Sequence, residues 1–401
     1  MKINRTICKG AIHRGADWLI TSAQIKDRAN PYDGAFRTEY NTKTREWSLF
    51  EPIWHSGQDI KALLCAYRLG RARKYLQSTI MAGAFIRRHQ VLAQDKRLHG
   101  VITGYITPDS RETCVATMIE SLPGLLELHR ITGDSVWLNS SILAAEWIIR
   151  NAYKGNGMIY WKYDHIKRKI IHNPWEGSRE GGYKQKYLVP PDDAAPLIDD
   201  AVFYRLYCAT KRKKYLAIFH ELADRIYQEQ NPPGCWVRYP ASNPYTGMIQ
   251  TRASWWWGNP LIHAYRVFRE QRYLATAVDC ADRCLQVQNL DGGLFSHYRT
   301  DGRHDSFGIC GSSTAVVVML WLDLWDVTKD RKYLTAARKG IEFLLKTQFS
   351  PEYPDETLRG AFFESASFYE GGGGHWHNVR DIATGFGIQA LYKALKTKTM
   401  F

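Results

Sequence analysis

The sequence predicts an all-α chain closed as an (α/α)6 toroid, a six-hairpin barrel folded as a single domain over residues 1–401. Three features carry this expectation: a glycine turn that recurs along the chain, two alternating sets of helical runs, and short joins within each helix pair. The turns read Asp33-Gly34-Ala35-Phe36, His99-Gly100-Val101, Gly155-Asn156-Gly157-Met158, Pro233-Gly234-Cys235-Trp236, Asp291-Gly292-Gly293-Leu294-Phe295 and Arg359-Gly360-Ala361-Phe362, six copies in all. Glycine supplies the positive φ needed to leave a helix and reverse the chain. Five of the preceding helical runs end near a glutamine: Gln24, Gln90, Gln230, Gln288 and Gln348.

Apolar residues recur with the helical period in twelve stretches. One set, near 55–70, 112–131, 197–210, 255–269, 310–327 and 380–396, is apolar nearly all round and reads as inner helices. The other, near 10–24, 72–90, 135–151, 212–230, 271–288 and 331–348, alternates apolar and charged faces and reads as outer helices. The inner-to-outer joins are short and end on an aromatic, at Tyr75, Trp137, Tyr215, Tyr273 and Tyr333, suited to plug the seam between antiparallel neighbours. The first helix is outer and the last inner, so the termini meet to complete the sixth pair. All long loops then gather at one end of the ring.

Composition narrows the class. Hydrophobic residues are 45%, with no low-complexity tract or linker. Trp (14) and Tyr (23) are abundant enough to furnish sugar or base platforms as well as core. The net charge of +14 favours an anionic partner: nucleic acid, an anionic surface or an acidic polysaccharide. The eight cysteines form no C-x-x-C pair and read as buried free thiols. The polar start, Met1 to Ala11, has no apolar signal region, and no stretch is long enough to span a membrane, which implies a cytoplasmic protein.

The long-loop end is the expected functional end. His55, Asp109, Trp175, Glu176, Tyr183, Tyr239, Arg252, Trp255, Trp256, Trp257, His304, Glu364, His375, His377 and Arg380 fall there. Aromatic side chains with carboxylates and arginines suit a carbohydrate, and Arg holds a uronate carboxylate through paired hydrogen bonds. Trp54-His55-Ser-Gly-Gln-Asp59 and Trp376-His377-Asn-Val-Arg-Asp381 share W-H-x-x-x-D at the first and last inner helices, which should be ring neighbours. In Ile198-Asp199-Asp200-Ala-Val-Phe203 the two carboxylates point apart if helical. Asp199 then caps the helix and Asp200 faces the basin as the acid/base. Gly371 to Gly374 lacks the Lys-Ser/Thr of a phosphate loop, and His375-x-His377 lacks a third zinc ligand, so neither cofactor nor metal is expected.

These helix pairs, Gly-aromatic turns and aromatic loops resemble the six-hairpin glycosidases over nearly the whole chain, and most of all the unsaturated glucuronyl and rhamnogalacturonyl hydrolases and related β-glucuronidases. Asp200-Ala-Val-Phe203 is similar to the D-x-x-[FM] setting of their catalytic aspartate, with Leu197-Ile198 where they carry Trp, and Asp109 loosely matches their second aspartate. The resemblance implies release of a terminal uronic acid, saturated or unsaturated, from an acidic oligosaccharide or polysaccharide, the unsaturated case by hydration of the sugar's vinyl ether. Asp109, Glu176, Glu364 and His377 are candidates to complete the Asp200 site. Trp175, Tyr183, Tyr239, Arg252, Trp255, Trp256, Trp257, His304, His375, Arg380 and His55 are the expected substrate contacts. Three alternatives stay open: a polysaccharide lyase cleaving a uronate polymer by β-elimination, a sugar epimerase using paired histidines, and a non-catalytic acidic-glycan binder. A membrane partner is not expected, nor is nucleic acid.

Overall fold

A computed structural model of the chain describes residues 3–107, 110–172, 193–239, 242, 247–304, 308–366 and 377–401. Twelve α-helices are found among them: α1 (Arg5–Trp18), α2 (Pro52–Gly70), α3 (Arg73–Arg88), α4 (Val115–Thr132), α5 (Ser135–Trp147), α6 (Val202–Thr210), α7 (Lys213–Glu229), α8 (Asn259–Phe268), α9 (Gln271–Gln286), α10 (Gly311–Thr328), α11 (Arg331–Thr347) and α12 (Asp381–Lys396). A 3-10 turn, Asp199–Ala201, leads into α6, and a π turn, Ser254–Gly258, leads into α8. Even-numbered helices form the inner ring. Each packs on the next, with the turns before α6 and α8 completing that step, and α12 packs back on α2. Each odd-numbered helix lies outside, against one inner helix on either side, and α1 closes against α12. This is the (α/α)6 toroid.

The outer ring is stitched by repeated contacts. Gln288 Nε2 donates to Gly292 O in its own turn and to Ala336 O on the next outer helix, both at 3.0 Å. Gln348 closes the ring the same way, donating to Gly360 O and Ala11 O at 2.9 Å. Gly292 (φ 93) lies so close to α11 that a Cβ there would stand 2.1 Å from Lys339 O. No side chain fits that approach. The join aromatics plug the seams as expected: Tyr333 donates to Asp282 at 2.8 Å and Tyr75 to Asp17 at 2.9 Å.

Charged side chains cross the bore. Lys61 of α2 pairs with Asp200 beside α6 at 2.7 Å, and these helices are not ring neighbours. Arg205 bonds Asp200 at 2.6 Å and lies 3.6 Å from Glu127 of α4, which also pairs with Arg68 of α2. On the other side Lys393 of α12 pairs with Asp323 of α10 at 2.6 Å, and Asn259 of α8 donates to the same carboxylate at 2.7 Å. His263 stays neutral there, its pKa lowered to about 4 by burial first and then by Arg205. All six inner helices therefore contribute to a polar floor, and burial without partners would be costly.

All eight cysteines are free, seven of them buried. Among the described residues no helix is long and apolar enough to cross a membrane.

Candidate active site

The inner helices start at the long-loop end, so their first turns surround the bore above the floor. Three groups of side chains meet there.

The first is a set of buried carboxyls. Glu51 sits before α2 in the left-handed region (φ 48), and its Oε1 accepts from the Tyr105 hydroxyl at 3.2 Å. Asp200 (φ 51) and Ala201 (φ 52) are also left-handed, a strain of roughly 1–3 kcal/mol each for non-glycine residues. Arg205 secures that turn, its Nε donating to Asp200 O at 2.7 Å while Nη2 bonds the carboxylate. Burial alone would raise the pKa of Asp200, but Arg205 and Lys61 outweigh it and hold the group ionised, far below the usual carboxylate range. Its neighbour behaves oppositely. Burial, then the charge of Asp200, lifts the pKa of Asp199 to about 7. Glu120 of α4 is pushed well up by burial, by Asp199 and by Glu51. Glu120 and Asp199 thus form an interacting pair that retains a proton near neutrality.

The second group is cationic. Glu364 accepts from the Ser312 N–H at 2.9 Å and from its hydroxyl at 2.8 Å. Arg252 and Arg380 approach Glu364 Oε1 at 3.8 and 3.9 Å. Arg252 lies over Trp54 (5.8 Å) and Trp256 (5.7 Å), and Arg380 over Phe50 (4.9 Å). An antiparallel sheet ordered Ser365–Ala366, His377–Arg380, Glu39–Asn41, Glu46–Ser48 sets Arg380 opposite Glu39. Burial raises the pKa of Glu39 against the opposing pull of Arg380.

The third joins the two W-H-x-x-x-D motifs crosswise. His55 Nδ1 lies 2.7 Å from Asp381 Oδ1, both fully buried. Asp381 Oδ1 also accepts from the Ile382 N–H at 2.7 Å. Burial foremost, with Arg380 and Arg252, keeps the imidazole neutral, so its Nδ1 carries the proton to Asp381. Among the described residues its buried Nε2 has no hydrogen-bond partner. Asp59, one helical turn on from His55, has its pKa raised by burial and by Asp381.

Several expected site residues thus have definite places. Arg252, Arg380, Glu364, His55 and Trp256 converge at the mouth of the bore. Asp200 is instead a floor residue, spent in ion pairs with Lys61 and Arg205, and Asp199 beside it is equally buried. Trp255 is buried, and Trp257 packs in the core between Trp236 and Tyr239 (5.8 and 5.9 Å). Tyr239 is wholly buried, its hydroxyl 3.8 Å from Met158 Sδ, which rules out direct substrate contact in this conformation. His304 is exposed on loop five, stacked on Phe295 at 3.8 Å. Asp109, Trp175, Glu176, Tyr183 and His375 lie outside the described residues, as does the side chain of His377. The sequence singles out Asp199 only as a helix cap and Asp59 only as a motif residue, and Glu120 not at all. The one signal for Glu120 is a carboxylate in the otherwise uncharged first half of a helix, which demands a partner. His220, Asp224 and Glu270 come together on the outer wall, but Arg272 already bonds both acids at 2.6 Å.

No protein-family model and no curated protein sequence matches the chain. Solved structures do. The chain is similar to a sugar epimerase from a ruminal bacterium (TM-score 0.71, 13% identity, 98% of this chain and 99% of that one). It is similar to a D-mannose isomerase (0.70, 15%, 98% of each). It is also similar to an unsaturated glucuronyl hydrolase specific for heparin (0.67, 14%, 97% of each). At these identities the likeness concerns the toroid.

Proposed function

We propose that this chain is a carbohydrate-active enzyme that removes a terminal uronic acid from an acidic oligosaccharide or polysaccharide, with Glu120 and Asp199 in place of Asp200 as the proton-transfer pair. The observation that carries the reading is that pair: two buried carboxyls retaining a proton near neutrality, within reach of the Arg252 charge. Arg252 and Arg380 bind the uronate carboxylate, and the half-buried Trp256 takes the sugar ring. For an unsaturated uronide, the protonated member gives its proton to C4 of the C4=C5 double bond. Water then adds at C5, losing its proton to the ionised member, and the resulting hemiketal opens to free the rest of the chain. The glucuronyl hydrolase fold neighbour supports this choice.

One observation favours a second reading. The neutral His55, oriented by Asp381 and with Nε2 unbonded, is built to take a proton from carbon, as an epimerase or a lyase requires. The epimerase neighbour points the same way.

The test is turnover of saturated and unsaturated uronic-acid oligosaccharides, followed by ultraviolet absorbance of the C4=C5 bond and by product mass. Loss of that absorbance, abolished in Asp199→Asn and retained in His55→Gln, supports hydrolysis. New absorbance, or solvent deuterium entering an intact sugar, with the opposite mutant pattern, overturns it.

A further inference from the structure

The joins between inner and outer helices lie at the end opposite the carboxyl pair, and they are basic. Helices α2, α6, α8 and α10 each run into a left-handed cation: Arg71 (φ 55), Lys211 (φ 60), Arg269 (φ 62) and Lys329 (φ 59). After α4 the same position is Gly133 (φ 72), the residue that fits without strain. The backbone N–H of each cation bonds the carbonyl of an aromatic four residues back: Tyr67, Tyr207, Tyr265 or Trp325. Arg71, Lys211 and Lys329 also lie over that ring, at 5.3, 5.7 and 5.8 Å.

The helix dipole accounts for a cation at a C-terminus but opposes one at an N-terminus. Yet α3, α7 and α11 open on Arg73-Lys74, Lys213-Lys214 and Arg331-Lys332, with no acidic residue in the first turn. Lys74, Lys214 and Lys332 are held by Asp17, Glu146 and Asp282 of the preceding outer helix. Arg71, Arg73, Lys211, Lys213, Arg269 and Arg331 are exposed, and among the described residues none has an acidic partner. Local helix electrostatics does not explain this excess. A polyanion does.

We propose that this ring of joins binds an anionic polysaccharide, anchoring the polymer whose end the basin takes; the choice of polysaccharide rests on the function proposed above. Aromatic faces covered by cations leave little room for base stacking, which argues against single-stranded nucleic acid. No join carries an exposed large apolar side chain to enter a membrane.

The test uses polygalacturonate and the variant Arg71→Gly/Lys211→Gly/Arg269→Gly/Lys329→Gly. Glycine suits the positive φ at all four positions, so the fold should be kept and Tm should not fall. Binding is measured by salt titration in an Asp199→Asn background, which keeps it independent of turnover. The expected result is salt-sensitive binding whose log–log salt slope flattens by about 3 in the variant. Absent binding at low salt, an unchanged slope, or tighter binding to duplex DNA or phosphatidylserine vesicles would overturn the proposal. Failure to turn over uronides in the unmutated enzyme would sink the active-site reading alone.

Discussion

Asp199→Asn is the most informative single change, because its effect on stability has a sign and a pH window. The carboxyl moves from an ordinary 3.8 to about 7 on folding, so the folded state holds the proton roughly three powers of ten more tightly. A group whose pKa is raised contributes stability that is fully present below 3.8 and lost as pH rises to about 7. At about 1.4 kcal/mol per tenfold, the wild type should lose on the order of 4 kcal/mol across that window through this group. Asparagine has no charge to bury. The variant should match the wild type near the acid end and gain on it steadily until about pH 7, with no further change above. Urea unfolding at half-unit steps from pH 4 to 8.5 measures the difference. A difference constant with pH, or one favouring the wild type on the alkaline side, refutes the placement of Asp199 as a proton-retaining buried acid. In the wild type, activity that needs the shared proton should fall as pH rises through about 7.

Other consequences can be checked on the same protein. Arg205→Met leaves Asp200 without its better partner and should cost about 3–5 kcal/mol in denaturant unfolding, with part restored by adding Asp200→Asn. Trp256→Ala should raise KM about tenfold with little loss of stability, whereas Trp257→Ala should cost about 3–5 kcal/mol and leave KM unchanged. Gly292→Ala, forced against Lys339 O, should lower stability by at least about 2 kcal/mol in thermal unfolding, far from any site effect.

The toroid was legible because its determinants are local and repeat. A glycine forced to positive φ against the next helix, a glutamine at the helix end, and an aromatic at each join leave a periodic trace in one dimension. The site was legible only in outline. Arg252, Arg380, Glu364, Trp256 and His55 come together as their loop positions implied. The contrast drawn between Asp199 and Asp200 assumes helical geometry, whereas the backbone is left-handed at Asp200 and Ala201 and the Asp200 carboxylate is spent in ion pairs with Lys61 and Arg205. Glu120 carries no motif, since the acids it feels, Asp199 and Glu51, come from segments distant in sequence. Tyr239 and Trp257 looked like platforms by residue type alone; the turn that buries them depends on packing against Trp236.

The ion pairs across the bore also set the traffic. A ring of helices with an open hole would let a linear polymer thread through and be cut anywhere along its length. Here Lys61–Asp200–Arg205 and Lys393–Asp323 turn the hole into a cul-de-sac. If the chain acts as proposed above, whatever enters must back out by the same door, so a long polysaccharide would present only its tip and each visit would trim at most one unit before the product vacates the path of the next.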